Sequence, residues 1–416
     1  MKKLSLLYLL LFSIINAKTL TLNEAIKATL KNYPDVKTMQ MKLKQSELSH
    51  HLAYGDYLPQ VNLNGEYNTK QTYILPTNGT FKTKDDVGWD VGVNLKQKLW
   101  DFSKTSSKIS ASLKDIEISK LSLMDFKALL SFKVKSLYKL MAVNKEAIKV
   151  RKEDLRVKEA YYKKALELVK QGLKTDADAN RFLFEVYNAK ENLAIAKSDF
   201  EKAKNTLSLY MGRKISKNIK LEKSILKKTY KLDSDIEKEI LKNNYSLKID
   251  DKNIEKNILL HKAAKAEHFG SIDAVASYNH FDTLNSYDSK KVGVVFNLPL
   301  YSGGKISTQA QKAKISTIIA KDQKLSHKLA LKEQINNLLY DIKKYNATIK
   351  AKKAGLKYAK KTKKIVEGRY KEGLATYIEL LDASTQVLNA KLGLLQAYYL
   401  KSLSIDKIQY LKGKIQ

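Results

Sequence analysis

Histidine, cysteine, methionine and paired carboxylates are the side chains that would carry chemistry, and in this chain they are sparse or scattered. The histidines are His50, His51, His261, His268, His280 and His327. None forms a His-x-x-x-His pair or joins a dense ligand cluster, so the spacing points to no zinc site and no other catalytic metal. Cysteine is absent, which excludes a disulfide framework, a thiolate-held metal and a thiol nucleophile. Met1, Met39, Met41, Met124, Met141 and Met211 are dispersed and make no relay for a soft metal. No phosphate-cradling glycine loop, nucleophile elbow or recognisable acid–base pair occurs. The expectation is a protein that is not an enzyme and uses neither metal nor cofactor.

Length and charge are what the chain does offer. Its 416 residues hold 77 Lys+Arg against 43 Asp+Glu, a formal net charge of +34, with 44% hydrophobic residues and 4 prolines. That balance speaks for a folded chain, and the scarcity of proline permits very long helices. Beyond the N-terminus no apolar run of about 18 residues exists, which excludes a polytopic helical membrane protein. At the N-terminus Lys2 and Lys3 precede an apolar run from Leu4 to Ile15 and then Asn16-Ala17. This reads as a signal peptide over residues 1–17, cut after Ala17. Cleavage removes Lys2 and Lys3 and leaves +32, and no cysteine near the cut offers a lipid anchor. Nucleic acid is a poor partner for this charge, because the chain is exported, its lysines are dispersed and no reader motif occurs. Lys-rich solvated helix faces explain it best. The other reading is that the charge serves to attract anions. Lys360, Lys361, Lys363 and Lys364 cluster shortly before Gly373.

The chain repeats itself once. Val91–Trp100 aligns with Val292–Tyr301, Gly172-Leu173 with Gly373-Leu374, and Gly212 with Gly413, all at an offset of 201. Upstream, Leu52-Ala53 against Ala263-Ala264 and Tyr67-Asn68 against Tyr278-Asn279 share an offset of 211, as a longer hairpin loop in the first half would give. We therefore divide the chain into a first repeat at 18–213, a linker at 214–234 and a second repeat at 235–416.

Each repeat is expected to hold a β-hairpin and two long helices. Val87, Trp89, Val91, Val93 and Leu95 alternate with Gly88, Asp90, Gly92, Asn94 and Lys96, and Val292 to Leu300 alternates in the same way. The hairpins fall at about 58–100 and 270–301. From Lys104 to Lys170 there is neither proline nor glycine. Ile109, Leu113, Ile116, Leu123, Phe126, Leu130, Val134, Leu137 and Met141 recur there at steps of three and four, a coiled-coil-like stripe. Helices are expected at about 104–170, 174–211, 305–371 (a stretch whose freedom from glycine is interrupted by Gly355) and 375–412, with Gly172 and Gly373 reversing the chain. Two short hairpins leave open edges, and inside a bilayer only a closed barrel satisfies the backbone. Strands in a membrane would therefore have to be pooled from several chains, twelve from three.

These residues resemble the TolC family of outer-membrane efflux proteins. The resemblance rests on Leu22-Asn-Glu-Ala-Ile26, Tyr57-Leu-Pro-Gln60, Leu298-Pro-Leu-Tyr-Ser-Gly-Gly-Lys305 and Tyr370-Lys-Glu-Gly-Leu-Ala-Thr-Tyr-Ile-Glu-Leu-Leu-Asp-Ala-Ser384, and covers essentially the mature chain. It implies an α+β membrane protein that works as a homotrimer. A 12-stranded outer-membrane barrel would continue into a periplasmic α-helical barrel and serve as the exit duct of tripartite efflux or type I secretion. A periplasmic adaptor, an inner-membrane transporter and outer-membrane lipid are the implied partners. By the same resemblance Glu379 and Asp382 would constrict the periplasmic end, with Asp178 in a comparable place in the first repeat. Gly172, Leu173, Gly373 and Leu374 would form the adaptor-contacting tips. The competing reading is a periplasmic coiled-coil scaffold or adaptor that never enters the membrane.

Overall fold

The computed structural model describes residues 19–77, 79–216, 219–222, 226 and 235–415. The expected leader, residues 1–17, lies outside them, as does part of the expected linker at 214–234. In chain order the elements are β1 (Thr19–Leu20), α1 (Leu22–Asn32), α2 (Pro34–Gly55), β2 (Gln60–Thr77), β3 (Thr80–Trp100), α3 (Lys104–Lys170), α4 (Asp176–Met211) and β4 (Lys220–Leu221). They continue with α5 (Ile236–Asn243), α6 (Tyr245–Ala266), a 3-10 turn (Glu267–Phe269), β5 (Ser271–Asp282), β6 (Ser286–Asn297), α7 (Lys305–Lys371) and α8 (Tyr377–Leu411). α3 and α7 each have 67 residues, about 100 Å at 1.5 Å per residue. α3 fills the stretch free of proline and glycine. α7 runs on through Gly355 without a break. Among the described residues no helix is long and apolar enough to cross a membrane.

The chain forms two compact units. One gathers residues 38–123 and 245–329 and holds the sheet, in the order β2-β3-β5-β6, antiparallel throughout. Its register separates two chemistries. Val61, Leu95, Ala276 and Val292 are paired in one row across all four strands. The neighbouring row is Asn62, Asn94, Ser277 and Lys291. Directly paired residues share a face and successive residues alternate, so one face is largely apolar and the other polar. The apolar face is uncovered: Leu63 is 73% and Val292 88% exposed. β2 and β6 have no further strand beside them among the described residues.

The turn from β3 into α3 holds Phe102 and Ser103 at positive φ, 54° and 71°. The positions that match them at an offset of 201 are Gly303 and Gly304, also at positive φ. Glycine adopts this backbone freely, whereas an L side chain bears a cost of about 1–2 kcal/mol. The Asp101 carboxylate offsets part of it by accepting the Thr105 N–H at 2.9 Å.

The other unit gathers the chain up to residue 37, residues 124–244 and everything from 330. Its core packs Val134, Tyr138 and Met141 of α3 against Phe200, Leu207 and Met211 of α4, with Leu20 and Ile26 closing it. Tyr138 donates its hydroxyl to the Leu20 carbonyl at 2.6 Å, which ties the short β1 to α3. Two asparagines cap helix ends: Asn32 donates to the Met211 carbonyl at 2.8 Å and Asn244 to the Leu411 carbonyl at 3.1 Å. A buried ion pair, Lys139 to Asp406 at 2.5 Å, joins α3 to α8.

Candidate functional site

The two helix reversals, α3 to α4 and α7 to α8, are built alike. Gly172 donates to the Val169 carbonyl at 2.9 Å and Leu173 to the Leu168 carbonyl at 2.9 Å. Gly373 donates to Tyr370 at 3.1 Å and Leu374 to Arg369 at 2.8 Å. This crossed pair of bonds is a Schellman closure and needs a left-handed residue; Gly172 and Gly373 supply φ of 70° and 74°. A side chain at either glycine would meet nothing within 4 Å, so backbone conformation alone demands glycine there. The turns leave two large apolar side chains in solvent, Leu173 at 65% and Leu374 at 68% exposure.

Each following helix opens with a capping box. Thr175 caps α4 and exchanges hydrogen bonds with Asp178: its N–H reaches Oδ2 at 3.3 Å and its hydroxyl receives the Asp178 N–H at 3.4 Å. Thr376 does the same with Glu379, at 2.6 Å and 3.3 Å. Asp178 and Glu379 thus occupy the same position of α4 and α8, 201 residues apart. The Thr376 N–H, with help from its hydroxyl, holds the exposed Glu379 carboxyl below the usual 4.5. Asp382 lies one turn further along α8, exposed, and accepts from Gln386 Nε2 at 2.8 Å. The position matching Asp382 in α4 is Arg181. It donates to the Tyr377 hydroxyl at 2.6 Å and stacks over that ring at 4.8 Å, linking α4 to α8.

Beneath this rim lies an aromatic cluster. Phe182 is fully buried and meets Tyr161, Tyr370 and Tyr377 edge-on at 5.9–6.1 Å. Tyr161 donates to Glu367 at 2.6 Å, and burial first, then that carboxylate, raise its pKa above the ordinary phenol value. The Tyr370 hydroxyl is buried without a hydrogen-bond partner, and burial, reinforced by the nearby Asp178 charge, raises its pKa too. The site is therefore a rigid aromatic plug under a rim of short helix ends. The rim carries carboxylates at Asp178, Glu379 and Asp382 and a cation at Arg181. Among the described residues no three His, Asp or Glu side chains stand together as a metal site.

Sequence reading singled out the glycines and carboxylates but missed Thr175, Thr376, Arg181 and Phe182. The two caps carried a usable signal, Thr-x-x-Asp and Thr-x-x-Glu at the start of an apolar-periodic stretch. The link from Arg181 to Tyr377 carried none, because its partners are 196 residues apart.

A family model described as outer membrane efflux protein matches residues 25–213 and 238–404 of this chain. Outer membrane protein TolC of Vibrio cholerae is 21% identical over 380 residues, spanning 86% of this chain and 82% of that protein. TolC of Escherichia coli strain K12 is 28% identical over 154 residues, which are 33% of this chain and only 31% of that protein. Among solved structures, CusC superposes with a TM-score of 0.85 at 16% identity, covering 94% of this chain and 91% of that one. VceC from Vibrio cholerae gives 0.81 at 16% identity, covering 95% and 97%. At such identities these structures show the mixed helix-and-sheet fold.

Proposed function

The chain belongs to the outer membrane efflux protein family, and on that premise we propose that three copies assemble into a passive exit duct. It takes cargo from an inner-membrane transporter, through a periplasmic adaptor, and across the outer membrane. The observation that carries this is the sheet. Its row Val61–Leu95–Ala276–Val292 is apolar and the next row, Asn62–Asn94–Ser277–Lys291, is polar. An uncovered apolar face of this kind is a liability in water. Lipid on one side and a wet lumen on the other suit both rows. The free edges β2 and β6 require pairing in a bilayer. Three copies of four strands pair them in a closed ring of twelve, and the long helices continue that ring as a periplasmic tube.

The helix tips are the gate of this duct. Six carboxylates, Asp178 and Glu379 from each copy, stand at its rim, and Asp382 with Arg181 forms a second tier of alternating sign. Rings of like charge concentrate counter-ions and set cation preference. Gly172, Leu173, Gly373 and Leu374 face the adaptor: the glycines form the reversal, and the exposed leucines supply apolar contact.

Planar-bilayer recording tests this reading. Purified protein that runs as a trimer should give discrete conductance steps. Its cation preference should fall when Glu379→Ala and Asp382→Ala are combined. A protein that stays monomeric and gives no steps would overturn the duct and restore the periplasmic scaffold.

A further inference from the structure

Helices α3 and α8 touch at two levels and part between them. At one level the Lys139–Asp406 pair closes them at 2.5 Å. At the other the Tyr161 and Ser384 hydroxyls meet at 3.3 Å. Between these levels α3, α7 and α8 line a cavity of about 440 Å³ that opens to solvent. Its apolar wall is Val150 of α3, Leu356 of α7, and Leu394, Leu395 and Tyr398 of α8. All five are half-buried, whereas Val134, Tyr138 and Ala165, on α3 to either side, are fully buried. The seam between the helices is thus left unfilled over this stretch. A space of this size, with an apolar wall and a few charged groups, has the dimensions of a small-molecule site. A partner helix does not fit it. The cavity runs only from Glu146 to Glu153 along α3, about 10 Å, and both ends are closed by contacts of the chain itself.

The charges around it are uneven. Its two acids are engaged: Glu146 holds Lys149 at 2.6 Å and Glu153 holds Arg156 at 2.8 Å. Lys353 and Lys391 also line it, and among the described residues neither forms an ion pair. Lys353 lies over the Tyr398 ring at 5.7 Å. Lys391 acts on Glu153 only through space, behind Arg156. Gly393 brings up a further cation. A side chain at Gly393 would stand 2.8 Å from Lys352 Nζ, so Lys352 occupies the place that side chain would take against α8. Glycine inside a helix is destabilising, and here it makes room for a lysine.

We propose that this cavity binds a small amphiphilic organic anion. Its apolar body lies against Leu356, Leu394, Leu395 and Tyr398, and its sulfonate or carboxylate is held by Lys353 and Lys391. An organic cation of the same shape is rejected, because its charge would face two lysines that no acid neutralises. The cavity is built by one chain, so the proposal goes beyond the duct and stands without it.

The chain has no native cysteine, so Leu395→Cys places a single reporter thiol in the wall. Its reaction with N-ethylmaleimide, an uncharged reagent, is timed in the full mature protein in detergent, with and without naphthalenesulfonate. Naphthylmethylamine and naphthylmethanol are the comparison ligands, and Leu173→Cys, at the exposed α3–α4 reversal, is the reference thiol. With a Kd of about 0.1 mM, naphthalenesulfonate at about 1 mM fills most sites and should slow Leu395→Cys about tenfold. It should leave Leu173→Cys unchanged. The amine should give no protection and the alcohol less than about twofold. Adding Lys353→Gln and Lys391→Gln should keep the rate without ligand within about twofold and abolish protection by the sulfonate. Should that variant fail to assemble, the preference for anion over cation in Leu395→Cys alone decides. No protection by the sulfonate, equal protection by the amine, equal slowing of Leu173→Cys, or protection that survives the loss of both lysines would overturn the proposal. So would a thiol in Leu395→Cys that fails to react even without ligand, since the cavity would then be filled in the assembled protein.

Discussion

Glu379 is asked to do two things, and its hydrogen bonds show that they compete. Its carboxylate closes the capping box with Thr376, and the same charge is proposed to line the gate. The folded pKa lies below the ordinary 4.5. The capping interaction is therefore fully present above 4.5 and fades as pH falls through the lower folded value. Removing the cap by Thr376→Val should cost about 1 kcal/mol of local helix stability. We expect amide exchange over Tyr377–Leu380 to quicken about fivefold in that variant at neutral pH. In the parent, protection measured against the intrinsic exchange rate at each pH should fall only below pH 4.5. Exchange in the variant that matches the parent at both pH values would show that the box does not hold the tip. At this scale the sequence was readable wherever a rule is local. Thr175 with Asp178 and Thr376 with Glu379 obey three-residue spacing, and Gly172 and Gly373 mark chain reversals. Arg181, Phe182 and Tyr370 were not readable, because tertiary packing alone brings them together.

Helices α3 and α7 show what local rules can and cannot decide about an element. The absence of proline and glycine delimits α3, whereas Gly355 did not stop α7. An interior glycine costs only about 1 kcal/mol, and the buried residues before and after it on the helix, Ile342, Ile349 and Tyr370, outweigh that. The alternating strands were legible, but not the left-handed turn at Phe102 and Ser103, since neither residue type announces positive φ. Nor was the pairing of α3 with α8 through Lys139 and Asp406, which are 267 residues apart. Lys135, buried one turn before Lys139, sits near the same carboxylate, and burial lowers its pKa below the ordinary lysine value. Asp406→Asn would leave two buried lysines without an anion and should cost about 3–5 kcal/mol, while removing all three charges together, by Lys135→Met, Lys139→Met and Asp406→Leu, should be near neutral. Urea unfolding of both variants reads the difference. An Asp406→Asn protein as stable as the parent would remove the pair from any account of how α8 is held.

With its apolar sheet face uncovered and no strand beside β2 or β6 among the described residues, the chain is proposed to complete its sheet only with further copies. The number of copies is set by geometry rather than by any one contact. If the β2 edge of each copy pairs with the β6 edge of the next, the interface is head-to-tail. Such an interface either closes into a ring or grows without limit. Closure at three gives twelve strands with no edge left. Because the chain has no native cysteine, the question can be put cleanly with introduced pairs. One cysteine replaces a residue along β2, among Leu63, Gly65 and Tyr67, and the other a residue along β6, among Val292, Val294 and Phe296. The two strands lie at opposite edges of the same four-stranded sheet, so a disulfide between them within one copy is out of reach. Oxidation of membranes holding the right pair should therefore give a denaturant-resistant ladder that ends at three chains. A ladder that continues past three would mean an open assembly. A protein that stays at one chain for every pair would mean that β2 and β6 meet no neighbour. Ending at three requires what no single residue encodes: that twist, tilt and register in each four-stranded sheet add up to one closed turn.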